Sequence, residues 1–157
     1  MNKIINTSYK GGDIMLGVLS SIISGMAMSI QGVFNTRLGE KIGLFETNTI
    51  VQGTAFIITL ILYVCFGKGN MSNIKLCKKI YLLGGVLGVI ITFTVMYGIK
   101  LLGPTHSITL ILVSQLITAV IIDYLGLFDS KHIHFNLRQL VGILMLISGI
   151  IILKWKS

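Results

Sequence analysis

Apolar positions along the chain fall into five unbroken runs, near residues 14–34, 46–66, 80–99, 105–123 and 137–153. Between them stand charge and turn residues: Arg37-Leu38-Gly39-Glu40-Lys41, Gly67-Lys68-Gly69-Asn70, Lys100-Leu101-Leu102-Gly103-Pro104 and Asp129-Ser130-Lys131-His132. A helix of about 20 residues crosses a hydrocarbon core of about 30 Å. Inside lipid each backbone polar group must be bonded within its own segment or in a closed barrel. The runs are continuous and do not alternate, so they predict helices rather than barrel strands. The expected fold is all-α: a polytopic membrane protein of five transmembrane helices. Pro104 is the single proline, so no Pro-rich linker divides the chain, and residues 1–157 read as one membrane domain.

Composition agrees. Hydrophobic residues make up 54% and charged residues 11%, against about 25% charge in a soluble domain. The net charge of +8 would suggest nucleic acid in a soluble protein. Here the basic residues flank apolar runs, where they meet lipid headgroups, and no nucleic-acid partner is expected. Cys65 and Cys77 form neither a CxxC nor a disulfide framework. His132 and His134 lie two apart with Asp129 nearby, and His106 opens the fourth run, but no further ligands converge. No metal or cofactor is expected. Without a Ser/His/Asp set, a phosphate-cradling loop or paired catalytic carboxylates, the chain does not read as an enzyme. Met1 to Asp13 is polar and the following run is too long for a signal-peptide core, so the first run is expected to be retained as a span.

Loop Lys and Arg residues set orientation. Eight lie on one side (Lys3, Lys10, Lys68, Lys75, Lys78, Lys79, Lys131, Arg138) and five on the other (Arg37, Lys41, Lys100, Lys154, Lys156). The bias favours a cytoplasmic N-terminus, but it is small enough for insertion in either orientation. With an odd span count, two oppositely inserted copies would form an antiparallel, inverted dimer of ten helices.

The spans carry organised polar residues. In the first, Ser20, Ser24, Ala27, Gln31 and Asn35 share one helical face, and Gly17, Ser21, Gly25 and Gly32 make a second, small-residue face. The second span repeats the device with Asn48, Gln52, Ala55 and Thr59. In the fourth, Ser107, Ser114 and Thr118 share a face, with Gln115 beside them near mid-depth. An unpaired amide in lipid costs on the order of 2–7 kcal/mol, so these amides face protein or a wet cavity. Interhelical hydrogen bonding and solute contact both remain open for them. The candidate substrate-binding set is Gln31, Asn35, Gln52, Gln115, Asn48, Ser114 and Ser24, with Gln115 foremost. Asp123 closes the fourth span and Arg138 opens the fifth on the same side, as a structural ion pair or a coupling or gating pair. Gly84-x3-Gly88, and Gly142 with Gly149, are close-packing signals.

Taken in order, several segments resemble the YdcZ family of the drug/metabolite transporter superfamily. They are Gly25-x5-Gln31-x3-Asn35-x2-Leu38-Gly39, Gly84-Gly85-x2-Gly88, Leu102-Gly103, Ser114-Gln115, Ile122-Asp123-Tyr124-Leu125-Gly126-Leu127-Phe128, and Arg138-x2-Val141-Gly142 followed by Gly149. Two positions depart from the family's pattern: Ser114 precedes Gln115 where glycine is expected, and Asp129 follows Phe128 where glycine is frequent. The resemblance implies a five-span half-transporter of the bacterial inner (plasma) membrane, working as an antiparallel homodimer or as a heterodimer with a related chain. It also implies kinship with the EamA carriers and the small multidrug resistance exporters. Those exporters use a glutamate within the first helix, and this chain has no carboxylate in the interior of its first span. A lining of amides and hydroxyls instead suits a neutral or zwitterionic solute.

The functional expectation is a secondary transporter moving a small solute by alternating access through a polar cavity at a dimer interface. A small dimeric channel and an accessory subunit of a heterodimeric transporter are the alternatives.

Overall fold

The computed structural model describes residues 11–130 and 137–154. These form five long helices: α1 (Gly11–Ile42), α2 (Leu44–Phe66), α3 (Gly84–Leu102), α4 (Pro104–Leu125) and α5 (Leu137–Lys154). Short 3-10 turns span Met71–Leu76, Lys79–Leu83 and Leu127–Asp129, and the described residues contain no strand. The all-helical expectation therefore stands. Four helices, α1, α2, α4 and α3 with the 3-10 turn that leads into it, are long and apolar enough to cross a membrane.

Helix α1 runs beyond the end of its apolar stretch. The charged segment from Arg37 to Lys41, read from sequence as a break, is its last turns. Nothing there stops a helix, and Arg37 Nη1 donates to Glu40 Oε2 at 3.0 Å along the helix surface. The break is Gly43 alone. Its φ of 102° and ψ of 156° lie in a region that glycine alone adopts at low cost. Gly103, with φ 78° and ψ 163°, makes the matching single-residue turn between α3 and α4.

The two turns are wired alike. The Gly43 N–H donates to Gly39 O at 3.1 Å, and Gly43 O accepts from the Thr47 N–H at 3.1 Å. The Gly103 N–H donates to Ile99 O at 2.9 Å, and Gly103 O accepts from the Ser107 N–H at 3.1 Å. Each glycine thus closes one helix and opens the next. Pro104 occupies the first turn of α4, where its missing N–H costs nothing.

Both turns lie at the same end of the bundle, because each joins the end of an odd-numbered helix to the start of an even-numbered one. Buried residues collect there. Met96 and Ile99 are the buried apolar pair, joined by Asn35, Thr36, Thr47, Asn48 and Ser107. Helices this close need small neighbours. A Cβ on Gly98 would stand 2.7 Å from Ser107 Oγ, and one on Gly32 would stand 2.9 Å from Ile99 Cδ1. Phe45 of α2 and Phe93 of α3 add an edge-to-face contact with centroids 4.7 Å apart. Toward the opposite end the apolar side chains face outward, the surface that lipid or another helix covers.

Alanine at Gly103 meets no side chain, so its cost is the backbone conformation alone. Gly103→Ala should lose about 1–3 kcal/mol, read as a shift in reversible unfolding in mixed micelles. Gly53→Ala, inside α2 where an added Cβ also meets nothing, should be neutral or gain up to about 1 kcal/mol.

Candidate functional site

The polar residues of the spans separate into two groups. The first is spent on holding helices together. Asn48 Nδ2 donates to Val89 O of α3 at 3.2 Å. Gln52 Nε2 donates to Thr92 Oγ1 at 3.2 Å, while the Thr92 hydroxyl donates to Gly88 O at 2.9 Å. A Cβ on Gly88 would lie 3.8 Å from Gln52 Nε2, in ordinary van der Waals contact. Asn35 is buried beside them in the Gly43–Gly103 end, together with Thr36, whose hydroxyl donates to Gly32 O at 2.7 Å. Thr47 Oγ1 and Asn48 Oδ1 are buried with no hydrogen-bond partner among the described residues.

The second group lines open space. Between α3 and α4 runs a groove of about 700 Å³, within the range of small-molecule sites. Thr94 and Gly98 stand on its α3 wall, and Ser107, Ser114, Gln115 and Thr118 on its α4 wall, among Ile and Leu side chains. A second groove of about 250 Å³ lies where α1 meets α3 and α4, bounded by Gly25, Met28 and Ser29 of α1 and by Val95 of α3. Gln115 lines both grooves.

The Ser114 and Thr118 hydroxyls donate back to Leu110 O and Ser114 O, at 2.9 and 2.8 Å, so toward the groove they offer oxygen acceptors. The Gln115 amide has no hydrogen-bond partner among the described residues. Among the described residues, no charged side chain lines either groove. The site can offer one amide and several hydroxyl oxygens to a solute, and apolar walls elsewhere.

The sequence candidates are thus dispersed. Gln115 and Ser114 share the larger groove; Asn35 and Asn48 sit in the packed end and Gln52 bridges α2 to α3. Gln31 and Ser24 are exposed on α1 and line neither groove. Asp123 is half-buried near the end of α4, and its expected pairing with Arg138 lies outside the described side chains. His132 and His134 lie outside the described residues. Thr94 and Ser29 were missed. Neither falls on a polar stripe of its own helix, and only the α3–α4 and α1–α4 juxtapositions give them a role.

An unforeseen cluster stands at the end away from the glycine turns. Lys78 Nζ sits 2.7 and 2.8 Å from the two Asp129 carboxylate oxygens, and the Tyr81 hydroxyl donates to Asp129 Oδ2. This clasp joins the start of α3 to the end of α4, across the far end of the larger groove. Asp129 has φ 62° and Phe128 φ 58°, the left-handed region, which aspartate enters more readily than most non-glycine residues. The hydrogen bond from Lys78, with that from Tyr81 second, holds the Asp129 carboxyl below its ordinary range. The same pairing raises Lys78.

Apolar helices of this length define an integral membrane protein. The sequence profile described as "Putative inner membrane exporter, YdcZ" matches residues 16–152, and the chain belongs to that family. Its place is therefore the inner membrane. No curated protein and no solved structure gives a significant match.

The clasp has a defined pH window. A lowered carboxyl contributes stability above its unfolded value near 3.9, lost as pH falls through the folded one; a raised ammonium contributes below about 10.4, lost as pH rises through its folded value. Amide exchange around Ser130, whose N–H donates to Leu127 O, should therefore change little in protection between about pH 5 and 9 after correction for intrinsic rates. Asp129→Asn should weaken that protection throughout the window.

Proposed function

We propose that the chain is the five-span half of a secondary transporter, carrying a small uncharged or zwitterionic solute by alternating access along the groove centred on Gln115. The single observation that carries this reading is the Gln115 amide. It stands at mid-depth on α4, without a hydrogen-bond partner among the described residues, where two uncharged grooves meet. An amide left this way in lipid costs on the order of 2–7 kcal/mol, so a polar occupant accounts for its place.

Membership of an exporter family supports the class. Helix α5 has 18 residues, about 27 Å at 1.5 Å per residue, enough to serve as the fifth span. A dimer of oppositely inserted copies, or of this chain with a related one, would cover the open side of the grooves. Glycines where an added Cβ would meet nothing within 4 Å among the described residues (Gly17 and Gly25 on α1, Gly142 and Gly149 on α5) suit close approach by a partner helix.

Counterflow in proteoliposomes tests the proposal. The probes are radiolabelled neutral amino acids, polyols and sugars, each measured separately. The purified chain should show saturable counterflow of at least one. Gln115→Leu should reduce it about tenfold or more, the loss of one well-made hydrogen bond to the solute, with the helical circular dichroism unchanged. Full counterflow in Gln115→Leu would remove Gln115 from the site. Unitary currents in planar bilayers without counterflow would make the protein a channel.

A further inference from the structure

The connection between α2 and α3 has the chemistry of a lipid-facing surface. From Gly67 to Leu83 it contains Lys68, Lys75, Lys78 and Lys79 and no acidic residue. It is ordered into two 3-10 turns, Met71–Leu76 and Lys79–Leu83. Asn70 Oδ1 caps the first by accepting the Ser72 N–H at 2.9 Å, and the Cys77 N–H donates to Ile74 O at 3.3 Å. Its apolar side chains nonetheless point away from the protein: Met71 is 64% exposed, Ile74 50% and Leu76 84%. Both ends enter helices that can cross the membrane, so the segment starts and finishes at the hydrocarbon boundary. Lys78 is held by Asp129, whereas Lys68, Lys75 and Lys79 form no ion pair among the described residues.

We infer that this connection lies in the membrane interface and binds anionic phospholipid. Met71, Ile74 and Leu76 enter the acyl boundary, and the ammonium groups of Lys68, Lys75 and Lys79 meet headgroup phosphates. The pairing of outward apolar side chains with unneutralised lysines selects the lipid over a soluble anion. A dissolved phosphate would satisfy the lysines and leave three apolar side chains in water, whereas an anionic lipid satisfies both. The Asp129 clasp holds Lys78 back, which leaves the three free lysines as the lipid-binding set. The assignment depends on the chain being a membrane protein and is independent of which solute it carries.

Cys77 reports on the segment from inside it. In a Cys65→Ser background it is the sole thiol, exposed and open to a nitrobenzoxadiazole label. The full chain is reconstituted in phosphatidylcholine vesicles with and without phosphatidylglycerol. The expected emission is blue-shifted, and brominated phosphatidylglycerol should quench it at least about twofold more than brominated phosphatidylcholine at equal mole fraction, with roughly fivefold in lipid affinity attributable to each lysine. Lys68→Gln, Lys75→Gln and Lys79→Gln together should equalise the two lipids. Met71→Ser, Ile74→Ser and Leu76→Ser together should abolish the blue shift, with helical circular dichroism retained in both triple variants. Emission typical of water with no quenching by either lipid would overturn the inference. So would equal quenching by both lipids in the unaltered chain, or displacement of the label's lipid contact by millimolar inorganic phosphate, which would mark a soluble-anion site.

Discussion

Two one-residue turns at the same end of the bundle constrain everything else in this chain. A single glycine between antiparallel helices leaves no slack, so α1 meets α2 and α3 meets α4 at close range. Glycines make room for the neighbours: Leu44 and Thr47 lie against Gly39, and Ser107 against Gly98. The backbone groups freed at the helix ends are bonded through Gly43 and Gly103 themselves. The buried residues follow from this geometry, and Met96, Ile99 and the polar set around them all belong to the pinned end. Between that end and the far one the α3–α4 groove opens.

The same constraint divides the amides. Asn48 and Gln52 lie near the pinned end, where α3 is close enough to bond them, and they serve the fold. Gln115 lies farther from Gly103, and no hydrogen-bond partner among the described residues reaches it. A hydrogen bond across membrane helices contributes modestly, about 0.6 kcal/mol on average, whereas an amide with no partner costs several times that. Gln31, Asn35 and Gln115 all lack a hydrogen-bond partner among the described residues, and of the three Gln115 alone lines the grooves, so it is the residue whose presence calls for a solute. At the far end the two helices flanking the groove are joined by the Lys78–Asp129–Tyr81 clasp. The groove thus has a covalent turn at one end and an ionic contact at the other.

Much of this was legible in the sequence because lipid enforces a simple rule. Backbone bonding confines each apolar run to a helix, so run length alone gave the helices, and the ordered motifs gave the family that the profile match over residues 16–152 supports. The face shared by Ser107, Ser114 and Thr118 could be read from helical spacing, and all three stand on one groove wall. Helix ends were harder. Arg37 to Lys41 looks like a loop by charge, yet a helix emerging at the interface tolerates charge, and only Gly43 breaks it. Which amide is bonded and which is free could not be read at all, because it depends on distances between helices that no single-helix pattern encodes. The clasp was invisible for the same reason: Lys78 and Asp129 lie far apart in sequence and meet only once α3 and α4 pack.

The central claim is that the mid-depth groove is wet while the glycine-turn end is dry. Spin labels at Thr118→Cys and Thr47→Cys, each in the cysteine-free background in reconstituted vesicles, test it by power saturation with a water-soluble nickel chelate against dissolved oxygen. The account predicts that the label at 118 collides with the nickel chelate, and that the label at 47 is screened from it. A label at 118 relaxed by oxygen alone, as on a lipid-facing or dry helix surface, would contradict it.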